Sequence, residues 1–138
     1  MAVSNALHDV NWPAVRAGTL ADLAVFVPVV AAYEALHGAG VLHGDAGTVV
    51  TAAFAVFVAP VAAGVTAARR DPSAPLTSSA LASLAAVLVF VVVRVADALV
   101  RDRPTTVAGT VILVMLSVVV GVIGGLMSTR ARTGRLDD

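Results

Sequence analysis

The chain has 138 residues, of which 59% are hydrophobic and 13% are charged, and its mean hydropathy is +0.94. Soluble globular domains carry roughly 25% charged residues, so this composition argues against a soluble protein and for an integral membrane protein. The nine basic residues, all Arg, are balanced by nine acidic ones, which argues against a nucleic-acid partner, and the absence of cysteine excludes disulfides and thiolate metal sites.

Four apolar runs follow one another along the chain, each near the roughly 20 residues that a helix needs to cross the hydrocarbon core. They lack the alternation of barrel strands, and helices satisfy their own backbone groups in lipid. The sequence therefore predicts an all-α, four-transmembrane-helix bundle, with residues 1–138 forming a single membrane domain. The predicted spans are residues 17–37, 46–68, 76–100 and 105–128, followed by a short polar tail at 129–138.

The first run has aromatic residues near both ends and one acidic residue inside. Trp12 and Tyr33 are predicted to anchor the helix at the two membrane interfaces, as amphipathic aromatic side chains do. Asp22 is expected about one turn into the first helix from the cytoplasm, as an interfacial acid that accepts a hydrogen bond from Thr19 or meets Arg16 and Arg70.

Proline interrupts the first two runs at Pro28 and Pro60. Each ring removes a backbone N–H and frees a carbonyl one turn earlier, at Ala24 and Val56, so a kink is predicted in each helix. Such kinks adjust helix curvature in small bundles, and alternatively they shape a path for a substrate.

The end of the first run and the connection after it hold four potential metal ligands, Glu34, His37, His43 and Asp45. Di-iron bundles use the Glu-x-x-His pattern twice in the core, whereas this chain has it once, beside a Gly-rich loop. No metal or other cofactor is therefore predicted.

Charged residues recur inside the third run, at Arg94 and Asp97. When the two halves of the chain are aligned, Glu34 and Arg94 fall at nearly the same depth, so an ion pair is predicted between them. Asp97 lies about one turn beyond Arg94 and would be a second acceptor in this charge clasp. The alternative is a proton- or cation-coupled site of a small transporter or channel, built from the same three residues.

Small residues mark the second and fourth runs, and in lipid they allow helix backbones to approach closely. The two stripes are predicted to face each other within the bundle, or alternatively to form an oligomer interface. The helix-packing residues are Ala59, Ala63, Gly64, Gly121, Gly124 and Gly125.

Arginine is unevenly distributed between the two sides of the membrane, and cytoplasmic segments carry the excess. Both termini are therefore predicted to be cytoplasmic, in the cell membrane. The tail arginines are able to attract anionic lipid, by about 1 kcal/mol each, although a merely solvated tail is the favoured interpretation. The Arg-rich side holds Arg16, Arg69, Arg70, Arg130, Arg132 and Arg135, and the other side holds Arg101 and Arg103.

The two halves of the chain align with each other without gaps, so that Leu20 falls on Leu81 and Gly64 on Gly125. Each half would be one helical hairpin, the alternative being that Ala- and Val-rich helices match by chance. Because two spans separate the copies, the hairpins would be parallel and related by a pseudo-two-fold axis along the membrane normal.

Two short motifs stand at helix entries. They are Asn11-Trp12-x-Ala14-Val15-x-x-Gly18 and Asp71-Pro72-x-x-Pro75-Leu76-Thr77. In these motifs the chain resembles uncharacterised small four-span membrane proteins of high-GC bacteria. The resemblance implies the topology and no activity.

No catalytic pattern is present, since the chain lacks both a G-x-S-x-G motif and a phosphate-binding Gly-Lys motif. The sequence therefore predicts a non-catalytic membrane protein and not an enzyme. The leading interpretation is an accessory or scaffold subunit that associates with itself or with other membrane protein subunits in the lipid bilayer. A small transporter or channel is the alternative.

Overall fold

A computed structural model of the chain describes residues 10–41, 45–100 and 107–133, apart from the side chains of residues 45–49, 51, 52, 55, 94, 97, 98, 132 and 133. The described residues form four α-helices and no strands, so the all-α prediction is confirmed. The helices are α1 (Trp12–Gly38), α2 (Asp45–Arg70), α3 (Pro75–Val100) and α4 (Val107–Thr133).

Helix α1 begins five residues before the predicted span, because the sequence before the apolar run is a helix start. The Asn11 side chain accepts a hydrogen bond from the Ala14 N–H at 3.2 Å, which satisfies one of the free donors of the first turn. Pro13 follows in that first turn, where its missing N–H costs nothing. The 27 residues of α1 give a length of about 40 Å, enough to cross the hydrocarbon and one interface region.

The far end of α1 is closed by a Schellman motif. Gly40 has φ 69°, a left-handed conformation that favours glycine, and its N–H bonds the His37 carbonyl at 3.0 Å. The Val41 N–H reaches back to the Leu36 carbonyl, also at 3.0 Å. These bonds pair the Leu36 and His37 carbonyls of the last turn.

The turn between α2 and α3 is built around Asp71. Its buried carboxylate accepts hydrogen bonds from the Ser73 hydroxyl at 2.6 Å, from the Ala74 N–H at 3.2 Å and from the Ser78 hydroxyl. The Ser73 and Ser78 hydroxyls favour the charged form and hold the pKa of Asp71 below its ordinary value. This cluster makes the turn tight and ties it to the first turn of α3.

Three described helical stretches are long and apolar enough to cross a membrane. They are Trp12–Gly38, Pro75–Val93 and Val107–Ala131, with mean hydropathies of 1.6, 2.4 and 2.6. These stretches support the prediction of a membrane protein.

The helices pack as a rhombus in cross-section. Helices α2 and α3 contact each other across the short diagonal, and each contacts both α1 and α4. No contact joins α1 to α4 within the described ranges. The predicted pseudo-two-fold axis would exchange α1 with α3 and α2 with α4, so the α2–α3 contact would need an α4–α1 counterpart. The internal repeat is therefore not confirmed.

Buried side chains are confined to the end of the bundle that carries Arg69, Arg70 and Arg130. We call this the closed half, and it comprises residues 10–22, 59–87 and 117–133. The open half comprises the other described residues, and none of the side chains described there is buried. The helices therefore pack tightly over only half of their length.

Candidate functional site

Glycines allow α2 and α4 to touch in the closed half. A Cβ atom at Gly64 would overlap the Gly121 carbonyl, and one at Gly124 would lie 2.7 Å from the Val61 carbonyl oxygen. The same Cβ at Gly64 would lie 3.0 Å from the Gly125 backbone nitrogen, and Gly125 also packs closely against Ser79 on α3. The structure thus brings these predicted stripes together, and Ala59 and Ala63 on α2 are fully buried beside them.

A further close approach, at Gly18 on α1, was missed in the sequence. A Cβ atom there would lie 2.6 Å from the Ala82 Cβ and 2.8 Å from the Ala63 carbonyl oxygen. The signal was available, because Gly18 stands in an apolar run where small residues mark helix contacts.

Two hydroxyls, those of Thr19 and Ser79, connect the helices of the closed half. Thr19 donates to the carbonyls of Val15 at 3.0 Å and Ala82 at 3.2 Å, and Ser79 donates to the Gly64 carbonyl at 2.9 Å. The Ser83 hydroxyl is buried and has no hydrogen-bond partner in the part of the chain that the structure describes. Because hydrogen bonds in lipid lack competition from water, these contacts help to hold the closed half together.

Asp22 lies about three turns into α1, and not one turn into it as predicted; its role as an interfacial acid stays a prediction. Because the helix begins at Trp12, Asp22 is ten residues, or about 15 Å, from the helix start. Its side chain is only 6% exposed. The Thr19 hydroxyl is bonded to backbone carbonyls, and Arg16 is exposed.

The Asp22 carboxylate has no partner within the described ranges, where no residue donates a hydrogen bond to it or forms an ion pair with it. Asp22 lies inside a helix that is long and apolar enough to span a membrane, where a charged side chain costs several kcal/mol unless it is paired or reached by water. Membrane proteins retain such groups mainly where they serve ion or substrate binding. Asp22 is therefore the residue from which a functional site can be built.

A cavity of about 120 Å³ lies next to Asp22, at mid-length of the bundle. All four helices contribute to its wall, which is apolar except for Asp22 and the Ser117 hydroxyl. Pro60 also lines it, and the carbonyl that this proline frees belongs to Val56, another wall residue. The remaining wall residues are Leu23, Phe26, Ala86, Val87, Phe90 and Leu113.

Two aromatic rings bridge α1 and α3 at this level. Phe26 and Phe90 meet edge to face, with ring centroids 5.1 Å apart and an interplanar angle of 80°. Phe26 lies one turn beyond Asp22 on α1, so its ring and the carboxylate share one side of the helix. The cavity thus combines one carboxylate with two aromatic side chains.

The cavity lies at the boundary between the closed and open halves. Asp22 and Val87 are the last buried residues of α1 and α3, and buried residues begin at Ala59 in α2 and at Ser117 in α4. The carboxylate therefore lies at the floor of the open half, by which we mean the level at which the loosely packed part of the bundle ends and the closed half begins.

The predicted charge clasp is not assembled by the described residues. Glu34 is exposed near the end of α1, while the side chains of Arg94 and Asp97 lie outside the described part of the chain. The clasp stays a prediction. Nearby, the Tyr33 ring stacks on His37 with centroids 5.7 Å apart, and Trp12 is half-exposed at the other end of α1.

Several other residues that the sequence singled out lie outside the part of the chain that the structure describes. His43 lies in the undescribed connection, the side chain of Asp45 is outside the description, and the described residues hold no group of three or more potential metal ligands. Arg130 is exposed near the end of α4, whereas the Arg132 side chain and Arg135 are outside the described part.

Comparison with known proteins gives no relative for the chain. No protein-family model matches it, and neither does any curated protein or solved structure.

Proposed function

We propose that this protein is a small, non-catalytic transporter of the cell membrane that carries a solute through the middle of its bundle by way of Asp22. The observation that supports this most is the buried, unpartnered Asp22 carboxylate at the floor of the open half. Intramembrane carboxylates of this kind commonly mark solute and ion pathways. Asp22 replaces the charge clasp as the transport site that we favour.

The two halves of the bundle fit one state of an alternating-access cycle. The Arg distribution favours a cytoplasmic closed half, with both termini on that side. The open half would then face outward and give a solute access to Asp22. In the second state, the Gly and Ser contacts of the closed half would separate and expose Asp22 to the cytoplasm.

Cysteine accessibility tests this proposal, because the chain contains no cysteine of its own. Ser117→Cys places a thiol in the cavity wall opposite Asp22. In vesicles of known orientation, a membrane-impermeant thiol reagent should label this cysteine when applied from either side. Labelling from one side only, or from neither, would contradict alternating access.

Ile112→Cys provides the matched control on the same helix. Ile112 is 64% exposed but is not part of the cavity wall, so its thiol should meet lipid and stay unlabelled. Elution of both variants as the parent protein does, in size-exclusion chromatography, would show that the bundle is intact.

An accessory or scaffold subunit remains a second candidate function, and the exposed apolar side chains of the open half favour it. Its helices expose apolar side chains such as Val93, Leu99 and Ile112, against which a helix of a partner or of a second copy can pack. Affinity purification from the native membrane in mild detergent, followed by native mass determination, tests this reading. A stoichiometric partner or a homo-oligomer supports it, whereas a monomer contradicts it.

A further inference from the structure

We propose that the solute is a small organic cation of the alkylammonium type, bound in the cavity with Asp22 as its counter-ion and the Phe26 and Phe90 rings as its aromatic wall. This inference rests on the proposed transport function, of which it names the substrate class. The charge of the cavity wall, its aromatic and apolar side chains and the volume of the cavity support it.

The charge of the cavity wall favours a cation over an anion. Asp22 is the one ionisable residue among those that line the cavity. Neither Arg nor His is available in the wall to neutralise it, and no described residue pairs with it. An ionised Asp22 therefore attracts a monovalent cation and disfavours anions.

The wall chemistry distinguishes an organic cation from a metal ion. Calcium takes six or more oxygen ligands, and magnesium requires near-octahedral oxygen coordination. Even with the Val56 carbonyl that Pro60 frees, the cavity wall provides only three oxygen-bearing groups, the other two being the Asp22 carboxylate and the Ser117 hydroxyl. Aromatic ring faces, in contrast, attract alkylated ammonium groups, which lose little hydration when they enter an apolar wall.

The rings are placed for this contact. Phe26 follows Asp22 by one helical turn, and Phe90 meets Phe26 at 5.1 Å from the neighbouring helix. An ammonium group at the carboxylate would therefore lie beside both rings. Leu23 and Val87 provide apolar surface for the alkyl groups.

The volume restricts the size of the head group. At about 120 Å³ the cavity is somewhat smaller than the roughly 150 Å³ of an apolar protein cavity that holds benzene. A trimethylammonium group suits this volume better than a cation with several aromatic rings. A longer substituent would extend into the open half.

Choline and its neutral carbon isostere, 3,3-dimethyl-1-butanol, form a matched pair of probes, because they share a shape and differ in charge. Calorimetric titration would use the full chain, purified in detergent. Choline should bind at least tenfold more tightly than the isostere. Equal binding of the two probes, or no binding of choline, would overturn the inference.

Variants of Asp22 test the counter-ion. Asp22→Asn should weaken choline binding tenfold or more and leave binding of the isostere unchanged, whereas Asp22→Glu, which keeps the charge, should retain choline binding. Unchanged choline binding by Asp22→Asn would overturn the assignment, and so would loss of binding by a folded Asp22→Glu protein. Helix content and elution volume serve as folding controls for both proteins.

The aromatic contact is tested independently by Phe90→Leu. Loss of one cation–π contact should weaken choline binding by about 2- to 30-fold. Phe57→Leu is the matched control, since Phe57 is half-exposed and is not part of the wall, and it should bind choline as the parent does. Equal effects of the two substitutions would overturn the aromatic wall.

The two proposals fail in different ways. Labelling of Ser117→Cys from both sides without choline binding would overturn the cation inference and leave the transporter. Choline binding with labelling from one side only would leave the cation site and overturn transport.

Discussion

At the scale of single residues, glycines decide how closely the helices approach one another, although glycine contributes little to the hydropathy of a run. Gly18, Gly64 and Gly121 stand where a methyl group would collide with a neighbouring helix. Their positions could be read from the sequence as contact points, since small residues in lipid mark them. Their partners could not, because the partner depends on how each helix is rotated about its axis.

Gly64→Ala is expected to destabilise the protein by about 1 to 3 kcal/mol, because the added methyl group overlaps the Gly121 carbonyl, which cannot move without shifting α4. Unfolding in a denaturing detergent, followed by circular dichroism, measures the change. Gly38→Ala is the control, since a Cβ atom there meets nothing within 4 Å. Equal stability of the Gly64→Ala and Gly38→Ala proteins would show that α2 and α4 are not in contact at Gly64.

Asp71 should make stability depend on pH. Its pKa is lowered in the folded protein, so its contribution is present at neutral pH and is lost as pH falls below about 4, the ordinary carboxyl value, toward the folded-state pKa. Asp71→Ala should therefore be less stable than the parent at pH 7, and the difference should shrink toward pH 3. Unfolding curves at several pH values measure this, and a constant difference would contradict the hydrogen-bonded carboxylate.

At the scale of helices and turns, local sequence explains most of what is observed. Asn11 and Pro13 start α1, Gly40 ends it, and Asp71 closes the turn before α3. These signals act within a few residues and so are readable in the sequence. The position of Asp22 was counted from residue 17, where the predicted span begins, and not from the helix entry at Asn11, so Asp22 lies about three turns into the helix instead of one.

The predicted charge clasp between α1 and α3 can be tested by exchanging its charges. If Glu34 and Arg94 form an ion pair, Glu34→Arg and Arg94→Glu should each destabilise the bundle, and the double substitution should restore most of the loss. Detergent unfolding of the four proteins provides the comparison. Additive effects of the two substitutions would argue against direct pairing.

At the scale of the whole molecule, the bundle is asymmetric along its length. The closed half is packed through Ala, Gly and Ser, and the open half exposes long apolar side chains. The Arg-rich end coincides with the closed half. Under the transport proposal, orientation in the membrane decides which compartment the open half faces.

Pro72→Cys and Ala39→Cys test the orientation. Both residues are exposed, Pro72 in the turn before α3 and Ala39 at the opposite end of the bundle after α1. In intact cells an impermeant thiol reagent should label the cysteine at position 39, and it should label the one at position 72 only after the membrane is permeabilised. The reverse pattern would place the termini outside.

The sequence by itself determined the membrane class, the four helices and most of their ends, because hydropathy, helix capping and turn chemistry act locally along the chain. Only the tertiary structure decided which faces meet, that packing is limited to one half, and that Asp22 lies beside Phe26 and Phe90 at a cavity. The physical reason is that apolar residues cover all sides of a helix in lipid, so periodicity does not reveal its buried face. That face is chosen by the fit of all four helices together.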